Sequence, residues 1–383
     1  MAPSRRKSLA ILGARGIPAR YGGFETFVEE LGTRLVARGH DVTVFCEFQP
    51  GPRPTTFKGV KLEYVKAWAP GPARTIQYDL SSLWQARRFE VVYMLGYGAS
   101  FGLPIPRLFG AEVWMNMDGL EWRRSKWGRA AKWWLKFMEG VACKTTSRLI
   151  FDNKALADEV RGRRLTTVPY EVIEYGAPLV REPLDPAPLE AFGLKSDGYH
   201  IVVARCEPEN HLVEIARAGA RREGGLPLVI VSNTDADTPY AKIVRGAAGE
   251  RVQNLGPIYD PSILQPLRQH ALSYVHGHSV GGTNPSLIEA LGCGNLVIAH
   301  DNVFNREVLG WEGRFFSTEG DLAQRLDEVE AMDPAKRHEI RKALWDRAAS
   351  WYSWERITDA YAVLLGDAPG RSVEQPSPQQ LAL

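Results

Sequence analysis

The sequence predicts an α/β protein with two Rossmann-like domains. Its 383 residues are too many for one typical hydrophobic core. Short apolar runs alternate with helix-forming segments in two separate series, a pattern typical of parallel sheets covered by helices. Between the two series, Pro169 to Pro188 contains five prolines and predicts a hinge. We therefore expect domains at 1–175 and 176–350, a last helix within 351–366 and a disordered tail at 367–383.

The first series starts with a strand over 8–14 and a glycine-rich loop. A helix over 24–38 follows, because its apolar positions repeat every 3.6 residues. A strand over 41–46 completes a βαβ unit, which places the loop at the carboxyl end of the first strand, where open parallel sheets bind ligands. The other predicted strands are 60–65, 90–95, 111–117 and 148–152, and the other helices are 78–88, 100–109 and 125–146.

The second series repeats this organisation and predicts a second parallel sheet. Its strands are 199–205, 228–232, 252–255, 271–275 and 296–300. Its helices are 211–222, 239–247, 262–270, 285–292, 306–309, 321–332 and 334–350, before the last helix at 354–365.

Composition narrows the functional class. A net charge of +2 gives no argument for nucleic-acid binding, and we expect no nucleic-acid partner. The four cysteines are far apart and form no CxxC pair, which favours reduced thiols in the cytoplasm. No window of 18 apolar residues without charge is present, so no segment is expected to span a membrane.

Residues 276–290 form the most informative stretch of the chain. An apolar strand leads into Gly281-Gly282, and a helix then starts at Pro285. Free backbone N–H groups and the positive helix end make such a turn an anion site. Glu289, one turn into the helix, can accept hydrogen bonds from a sugar hydroxyl. The pairing of a phosphate site with a hydroxyl acceptor indicates a nucleotide-type ligand.

Four further motifs support a family resemblance. They are residues 13–26 (GARGIPARYGGFET), 116–122 (NMDGLEW), 204–210 (ARCEPEN) and 353–355 (SWE), which join the 276–289 stretch (HGHSVGGTNPSLIE). Together they resemble glycosyltransferase family 4, and in particular a subgroup that includes bacterial rhamnosyltransferases. The resemblance implies the GT-B fold, with the two domains facing each other across a cleft and the C-terminal helix crossing back to the first domain.

The resemblance also implies roles for first-domain residues. Gly22 and Gly23 let the backbone approach the donor phosphate or the acceptor, although such a pair is also an ordinary turn. Asp118 stands where the family often has a histidine that touches the donor sugar. A carboxylate there could hold a sugar hydroxyl, stabilise an oxocarbenium-like transition state or accept the acceptor's proton. The alternative interpretation is that Asp118 only caps a turn or a helix. Glu121 is a second catalytic candidate on the same surface.

In the second domain, Arg205 is the candidate diphosphate ligand, with a structural salt bridge as its alternative. The family usually has a lysine five residues later, but this chain has Asn210, so Lys242 or Arg306 has to be considered as a replacement. Glu289 matches the glutamate expected to hold the nucleotide ribose. The first glutamate of the family motif would fall on Gly281, so it is absent here. Its absence indicates that the segment Gly281, Gly282, Thr283 and Asn284 recognises the donor sugar. Such recognition suits a sugar with fewer hydroxyls, such as a 6-deoxy sugar.

Two histidines stand at the end of the strand that precedes this segment. A spacing of two residues allows His276 and His278 to share a metal, but no third ligand is nearby in the sequence. We therefore expect one of them to donate a hydrogen bond to a phosphate, and we expect no metal and no cofactor.

Residues 122–136 combine four tryptophans with six basic residues and no acidic one. An amphipathic helix explains this composition, with Trp127 and Trp134 on an aromatic core face and Arg129, Lys132 and Lys136 on a solvated basic face. The functional alternative is a patch that binds an anionic membrane surface, as a transferase acting on a lipid-diphosphate-linked glycan would need. This alternative predicts a peripheral protein on the inner face of the plasma membrane.

The resemblance implies a glycosyltransferase that retains the anomeric configuration and requires no metal. It would move a sugar, with L-rhamnose from dTDP-rhamnose as the best candidate, to a glycan acceptor in cell-surface polysaccharide biosynthesis. One alternative is a GT-B sugar-nucleotide epimerase, which has the same fold without an acceptor. The other is a non-catalytic membrane adaptor, because Gly281 and Asn210 replace two expected ligands.

Overall fold

Two parallel sheets with helices on their faces make up the protein. The structure is a computed structural model, and it describes residues 7–19 and 22–368. Arg20, Tyr21 and positions 369–383 lie outside the described residues, and with them most of the predicted tail. Of that tail, residues 367 and 368 are described, and the Asp367 carboxylate lies 3.0 Å from His40 Nε2.

The first sheet has eight strands in the order β3-β4-β2-β1-β5-β6-β7-β8. All neighbours are parallel except β3 and β4, which are antiparallel. The strands are β1 Ser8–Leu12, β2 Asp41–Glu47, β3 Thr56–Phe57, β4 Val60–Val65, β5 Val91–Leu95, β6 Glu112–Asn116, β7 Arg148–Phe151 and β8 Tyr170–Val172. The helices along this part of the chain are α1 Gly23–Ala37, α2 Pro72–Ala86, α3 Pro104–Leu108, α4 Arg129–Thr145 and α5 Lys154–Arg164.

The second sheet has six parallel strands in the order β11-β10-β9-β12-β13-β14. The strands are β9 His200–Val203, β10 Leu228–Val231, β11 Val252–Asn254, β12 Ser273–His276, β13 Val297–His300 and β14 Arg314–Phe316. The helices are α6 Ala187–Glu190, α7 Leu212–Arg221, α8 Pro239–Ala247, α9 Pro261–Gln269, α10 Pro285–Gly292, α11 Val303–Leu309, α12 Glu319–Ala331, α13 Pro334–Trp351 and α14 Trp354–Leu364.

Central strands of both sheets are covered on both faces. Every residue of β5 (VVYML) and β10 (LVIV) is buried. Continuous apolar runs of this kind are typical of parallel sheets between helices, where alternation with polar residues is not required. The predicted pair of parallel sheets is confirmed.

Several short or charged elements were not predicted. Strands β3, β8 and β14 have only two or three residues, too few to show a hydrophobic pattern. Helix α5 has the sequence KALADEVRGRR, whose charge conceals its three buried positions, and Asn153 Oδ1 caps its start by accepting from Leu156 N.

The helix predicted over 125–146 starts later, at Arg129. Residues 125–127 form a non-helical turn instead, in which the Ser125 hydroxyl donates to Glu209 Oε2 of the second domain at 2.8 Å. Trp127 therefore precedes the helix, and its indole N–H donates to Glu121 Oε2 at 3.3 Å. The prediction that Trp127 shares a helix face with Trp134 is wrong for this reason.

The chain crosses between the sheets twice, and the two crossings lie side by side. Ala177 N donates to Tyr352 O at 2.7 Å, and Ala177 pairs with Ser353 in a parallel bridge. The indole of Trp354 lies directly over Gly176, where a side chain on Gly176 would overlap it. The two connections therefore form one paired segment rather than two independent linkers.

Helix α14 returns to the first sheet, as the GT-B resemblance implies. Phe27 of α1 packs against Trp354 and Tyr361, with ring centroids 6.3 and 5.9 Å apart. The Tyr361 hydroxyl lies 2.7 Å from that of Tyr93 in β5, inside the core. Arg38 also pairs with Asp359 at 2.5 Å.

Replacing Trp354 with alanine should lower the free energy of unfolding by about 3 to 5 kcal/mol, because the indole leaves a cavity between α1 and the paired crossings. Urea denaturation followed by circular dichroism measures this value. Trp311→Ala is the matched control, since that indole is 78% exposed and its loss should change stability by less than about 0.5 kcal/mol. Equal stability of the two variants would contradict the packing role of α14.

Candidate active site

The carboxyl ends of the two sheets meet at a cleft, and backbone segments from both domains touch there. A Cβ built on Gly119, just after β6, would lie 3.3 Å from Gly281 Cα. Thr283 N donates to Asp152 Oδ2 at 3.2 Å, across the same gap. A Cβ on Gly23, at the start of α1, would contact Pro285 of α10 at 3.4 Å. The loops that the sequence singled out therefore lie together.

A second group of contacts between the domains involves helix α5. The carboxylate of Glu307, on α11, accepts from Lys154 N at 2.6 Å and from Ala155 N at 2.7 Å. These are free N–H groups at the positive end of α5, where a carboxylate is favoured. A helix of one domain is thus capped by a side chain of the other.

Asp118 lies two residues beyond β6 at the edge of the cleft and is partly buried. Burial, and then the nearby Glu121 carboxylate, raises the pKa of Asp118 to about 6. The guanidinium groups of Arg124 and Arg205 act in the opposite direction. Asp118 is therefore ionised at neutral pH but takes up a proton in mild acid.

Glu121 belongs to a local ion-pair network. Its carboxylate lies 2.5 Å from Arg124 Nε and 3.9 Å from Lys126 Nζ. It also accepts from the indole of Trp127. In this arrangement Glu121 holds the loop after Asp118, and its influence on Asp118 is electrostatic.

Gly22 has a φ of +106° and precedes α1, so the turn needs glycine. A Cβ there would overlap the Glu25 carboxylate, whose Oε1 accepts from Arg15 N at 3.0 Å. The pair Gly22 and Gly23 therefore brings backbone close to the start of α10.

Gly281 and Gly282 have no space for a side chain. Gly281 has a φ of +90°, and a Cβ there would lie 2.9 Å from Gly119 Cα. A Cβ on Gly282 would overlap Asp152 Oδ1. The close approach of the two backbones explains why a glutamate does not occupy position 281.

The side chains of Thr283 and Asn284 both bond to backbone groups of the protein. Thr283 Oγ1 donates to the carbonyl of Asp152 at 2.5 Å. Asn284 Oδ1 accepts from Ser286 N at 3.0 Å and caps α10. Their side chains thus fix the loop and the helix start.

Asn210 connects the Arg205 loop to the strand that ends at His276. Its amide donates to Arg205 O at 2.8 Å, and its Oδ1 lies 2.8 Å from His278 Nδ1. His278 Nε2 lies 2.6 Å from Val280 O. Because burial and the charge of Arg124 lower the pKa of His278 to about 4, its neutral ring has one N–H, which donates to one of these two oxygens.

His276 is buried, and its Nε2 has no hydrogen-bond partner in the described structure. Burial and its histidine neighbours lower the pKa of His276 well below the ordinary value. Within residues 7–19 and 22–368, no cluster of three His, Cys, Asp or Glu side chains is arranged to hold a metal ion.

Glu289 lies on α10 and pairs with a buried arginine. Its Oε2 is 2.7 Å from Arg268 Nη1, and only 5% of the Arg268 side chain is exposed. The predicted ribose ligand is thus held in place from behind by a charge-assisted contact.

The predicted replacements for the family lysine are both engaged elsewhere. Lys242 pairs with Asp237 at 2.7 Å. Arg306 binds Asp301 through two hydrogen bonds of 2.6 and 2.8 Å. Arg205 itself is 62% exposed and lies 3.8 Å from Glu207.

Three residues of the site were missed from the sequence, namely Arg124, Asp152 and Arg268. Asp152 follows the apolar strand β7 as Asp118 follows β6. An aspartate just after an apolar strand could therefore have identified Asp152 as a site residue. It is buried, and burial followed by the Asp118 charge raises its pKa well above the ordinary value. Arg124 and Arg268 lie in a basic loop and a helix whose sequences carry no such signal.

Solved structures of similar shape identify the architecture. Sucrose-phosphate synthase from Thermosynechococcus elongatus matches with a TM-score of 0.78 at 18% identity, over 94% of this chain and 98% of that one. Anabaena HepE in complex with UDP-glucose matches with a TM-score of 0.74 at 15% identity, over 94% and 99%. The chain has the GT-B fold.

A third GT-B structure, of trehalose-6-phosphate from E. coli bound with UDP-2-fluoro glucose, matches with a TM-score of 0.70 at 10% identity, over 95% and 100%. Residues 6–178 match the family model described as a domain of unknown function, DUF1972. No curated protein sequence matches the chain.

Gly281→Ala should weaken the contact with Gly119, because overpacking a close contact costs about 1 to 3 kcal/mol. We expect amide exchange in the segment 281–284 to become at least about tenfold faster, measured by hydrogen–deuterium exchange. Gly256→Ala is the matched control, since Gly256 also has a positive φ, +73°, but no atom lies within 4 Å of its Cβ position. Unchanged protection of 281–284 in Gly281→Ala would contradict the close approach.

Proposed function

We propose that this protein is a glycosyltransferase that moves a sugar from a nucleotide diphosphate donor to a glycan acceptor. The observation that carries the proposal is the position of Asp118 in the first-domain loop that meets the second domain at Gly119 and Gly281, where the charge of Arg205 also acts on the Asp118 carboxylate. HepE and the E. coli structure, which have the same fold, contain UDP-glucose and UDP-2-fluoro glucose. Those ligands support a nucleotide-sugar donor here.

The second domain holds the donor in this proposal. The turn at Gly281 and Gly282, beside the positive end of α10, receives the phosphates, and Arg205 adds positive charge. Glu289 accepts from the ribose. The glycine turn, the positive end of α10 and Arg205 would stabilise the negative charge that develops on the leaving diphosphate, which supports transfer without a metal.

Asp118 acts on the sugar. Its carboxylate binds a sugar hydroxyl or stabilises the positive charge at the anomeric carbon while the bond to the diphosphate breaks with its electron pair. The acceptor hydroxyl forms the new bond, and its proton passes to Asp118 or to the departing phosphate oxygen. The family resemblance implies that the anomeric configuration is retained.

The donor sugar is proposed to be L-rhamnose, carried by dTDP. The close approach of Gly281 and Gly119 leaves no place for a carboxylate that would bind further hydroxyls. A 6-deoxy sugar has one hydroxyl fewer, and it is compatible with recognition by backbone groups. This choice depends on the subgroup resemblance together with the glycine segment.

The acceptor is proposed to be a lipid-diphosphate-linked glycan in cell-surface polysaccharide biosynthesis. Exposed aromatic side chains lie on neighbouring helices of the first domain, which we call the aromatic patch: Trp84, Phe101, Phe109, Trp133 and Phe137. Arg129, Lys132 and Lys136 of α4 add positive charge beside it. Among the described residues, no helix is long and apolar enough to span a bilayer. The patch instead supports peripheral binding to an anionic membrane, at the cytoplasmic face.

Asp118→Asn should lower kcat/KM by about 100-fold or more with dTDP-rhamnose and a lipid-linked acceptor, because the amide carries no negative charge. In the wild type, kcat/KM should fall about tenfold per pH unit below pH 6, since the pKa of Asp118 is raised to about 6 and the carboxylate is the active form. The variant should lack this limb of the pH profile.

The thermal stability of Asp118→Asn distinguishes a loss of catalysis from a loss of folding. The folded state binds the Asp118 proton more tightly than the unfolded chain, so wild-type stability falls as pH rises from about 4 to about 6. At pH 7.5, Asp118→Asn should therefore melt at the same or a higher temperature than the wild type. Asp158→Asn, whose carboxylate is 55% exposed, is the activity control. An active Asp118→Asn enzyme would overturn the assignment.

The rival functions give different products from the same assay. An epimerase converts the donor alone into its epimer, whereas the proposed transferase needs an acceptor before nucleotide is released. An adaptor releases no nucleotide in either case.

A panel of nucleotide sugars scored by thermal shift identifies the donor, since a ligand of the native state raises the melting temperature.

Replacing both Trp133 and Phe137 with alanine should reduce binding to vesicles of phosphatidylglycerol and phosphatidylcholine by at least about tenfold. The two rings stack at 5.6 Å and expose 67% and 52% of their area, so each contributes apolar surface to the interface. Co-sedimentation measures the binding, and Trp311→Ala is again the control. Equal sedimentation of both variants would count against the aromatic patch as the membrane site.

A further inference from the structure

One oxygen in the cleft is flanked by guanidinium groups from both domains. Glu207 Oε2 lies 4.0 Å from Arg124 Nη1 of the first domain and 3.8 Å from Arg205 Nη2 of the second. It is buried and makes no hydrogen bond in the described structure. Both separations exceed hydrogen-bond distance, so the carboxylate neutralises two cations without bonding tightly to either.

The position of Arg124 is fixed by its neighbours. Its Nε lies 2.5 Å from Glu121 Oε1, and only 12% of its side chain is exposed. The next residue, Ser125, donates to Glu209 and so draws the loop onto the second domain. Arg124 is therefore a first-domain cation that is held at the second-domain side of the cleft.

We propose that Arg124 and Arg205 form an anion clamp across the cleft, and that the diphosphate of the nucleotide sugar enters it by displacing the Glu207 carboxylate. The inference rests on the proposed function for the identity of the anion. Two guanidinium groups present planar sets of N–H donors that match phosphate oxygens. Glu207 occupies the place of one such oxygen.

Three other basic side chains do not provide this geometry. Lys242 and Arg306 are paired with their own aspartates. Lys126 lies 3.9 Å from Glu121 and is 37% exposed, so it stands at the rim. The clamp also gives the first domain a direct interaction with the donor, which makes closure of the cleft depend on the diphosphate.

The clamp is tested by isothermal titration calorimetry of the full-length protein with dTDP, thymidine and inorganic pyrophosphate. Arg124→Gln should weaken dTDP and pyrophosphate by about 10- to 100-fold, the range for charge-assisted hydrogen bonds, and should leave thymidine unchanged. Arg124→Lys should recover part of the affinity. Glu207→Gln should bind dTDP more tightly than the wild type, because the internal competitor is neutral.

Arg123→Gln is the matched control, since Arg123 is the adjacent residue but pairs with Glu159 within the first domain. Circular dichroism of each variant checks its fold. Unchanged dTDP and pyrophosphate affinity in Arg124→Gln would overturn the clamp, as would an equal loss of thymidine. If the wild type binds pyrophosphate through Arg124 but binds neither dTDP nor any nucleotide sugar, the clamp stands and the proposed transferase function fails.

Discussion

The contact on which the cleft depends is the approach of two backbones, at Gly119 and Gly281, with no side chain between them. Neighbouring groups are arranged around this contact. Gly282 lies against Asp152, Thr283 bonds to Asp152 through both its N–H and its hydroxyl, and Asn284 caps the helix that starts beside Gly23. Because interiors are close-packed, one added methyl group would separate the strand ends that carry the site.

Charge at the cleft is distributed between the domains rather than collected in one of them. Carboxylates of one domain meet N–H groups or cations of the other, as Glu307 does at helix α5 and Glu207 does at Arg124. Such contacts weaken together when the domains separate, since the two partners of each contact belong to different domains. A domain closure that assembles the site is consistent with the way lids and domains act in other enzymes.

The sequence was sufficient for the two-sheet architecture because buried parallel strands are continuous apolar runs, and the helices between them repeat apolar residues every 3.6 positions. It also predicted Asp118 at the carboxyl end of a first-sheet strand and Arg205 and 281–289 at the carboxyl ends of second-sheet strands, and the GT-B resemblance implied that these two edges face each other across a cleft. The partners of these residues were not predictable. Arg268 behind Glu289 and Asp152 behind Thr283 are determined by packing between distant segments, and a one-dimensional pattern contains no measure of that distance.

The paired crossings and helix α14 have a consequence for the order in which the chain is synthesised. The core around Phe27 and Tyr93 is completed by Trp354 and Tyr361. The ribosome makes these residues only after the whole second sheet, so the nascent first sheet keeps an open apolar face throughout that time. A chain that stops short of α14 would carry this face into the cell uncovered, as a surface for chaperones and proteases.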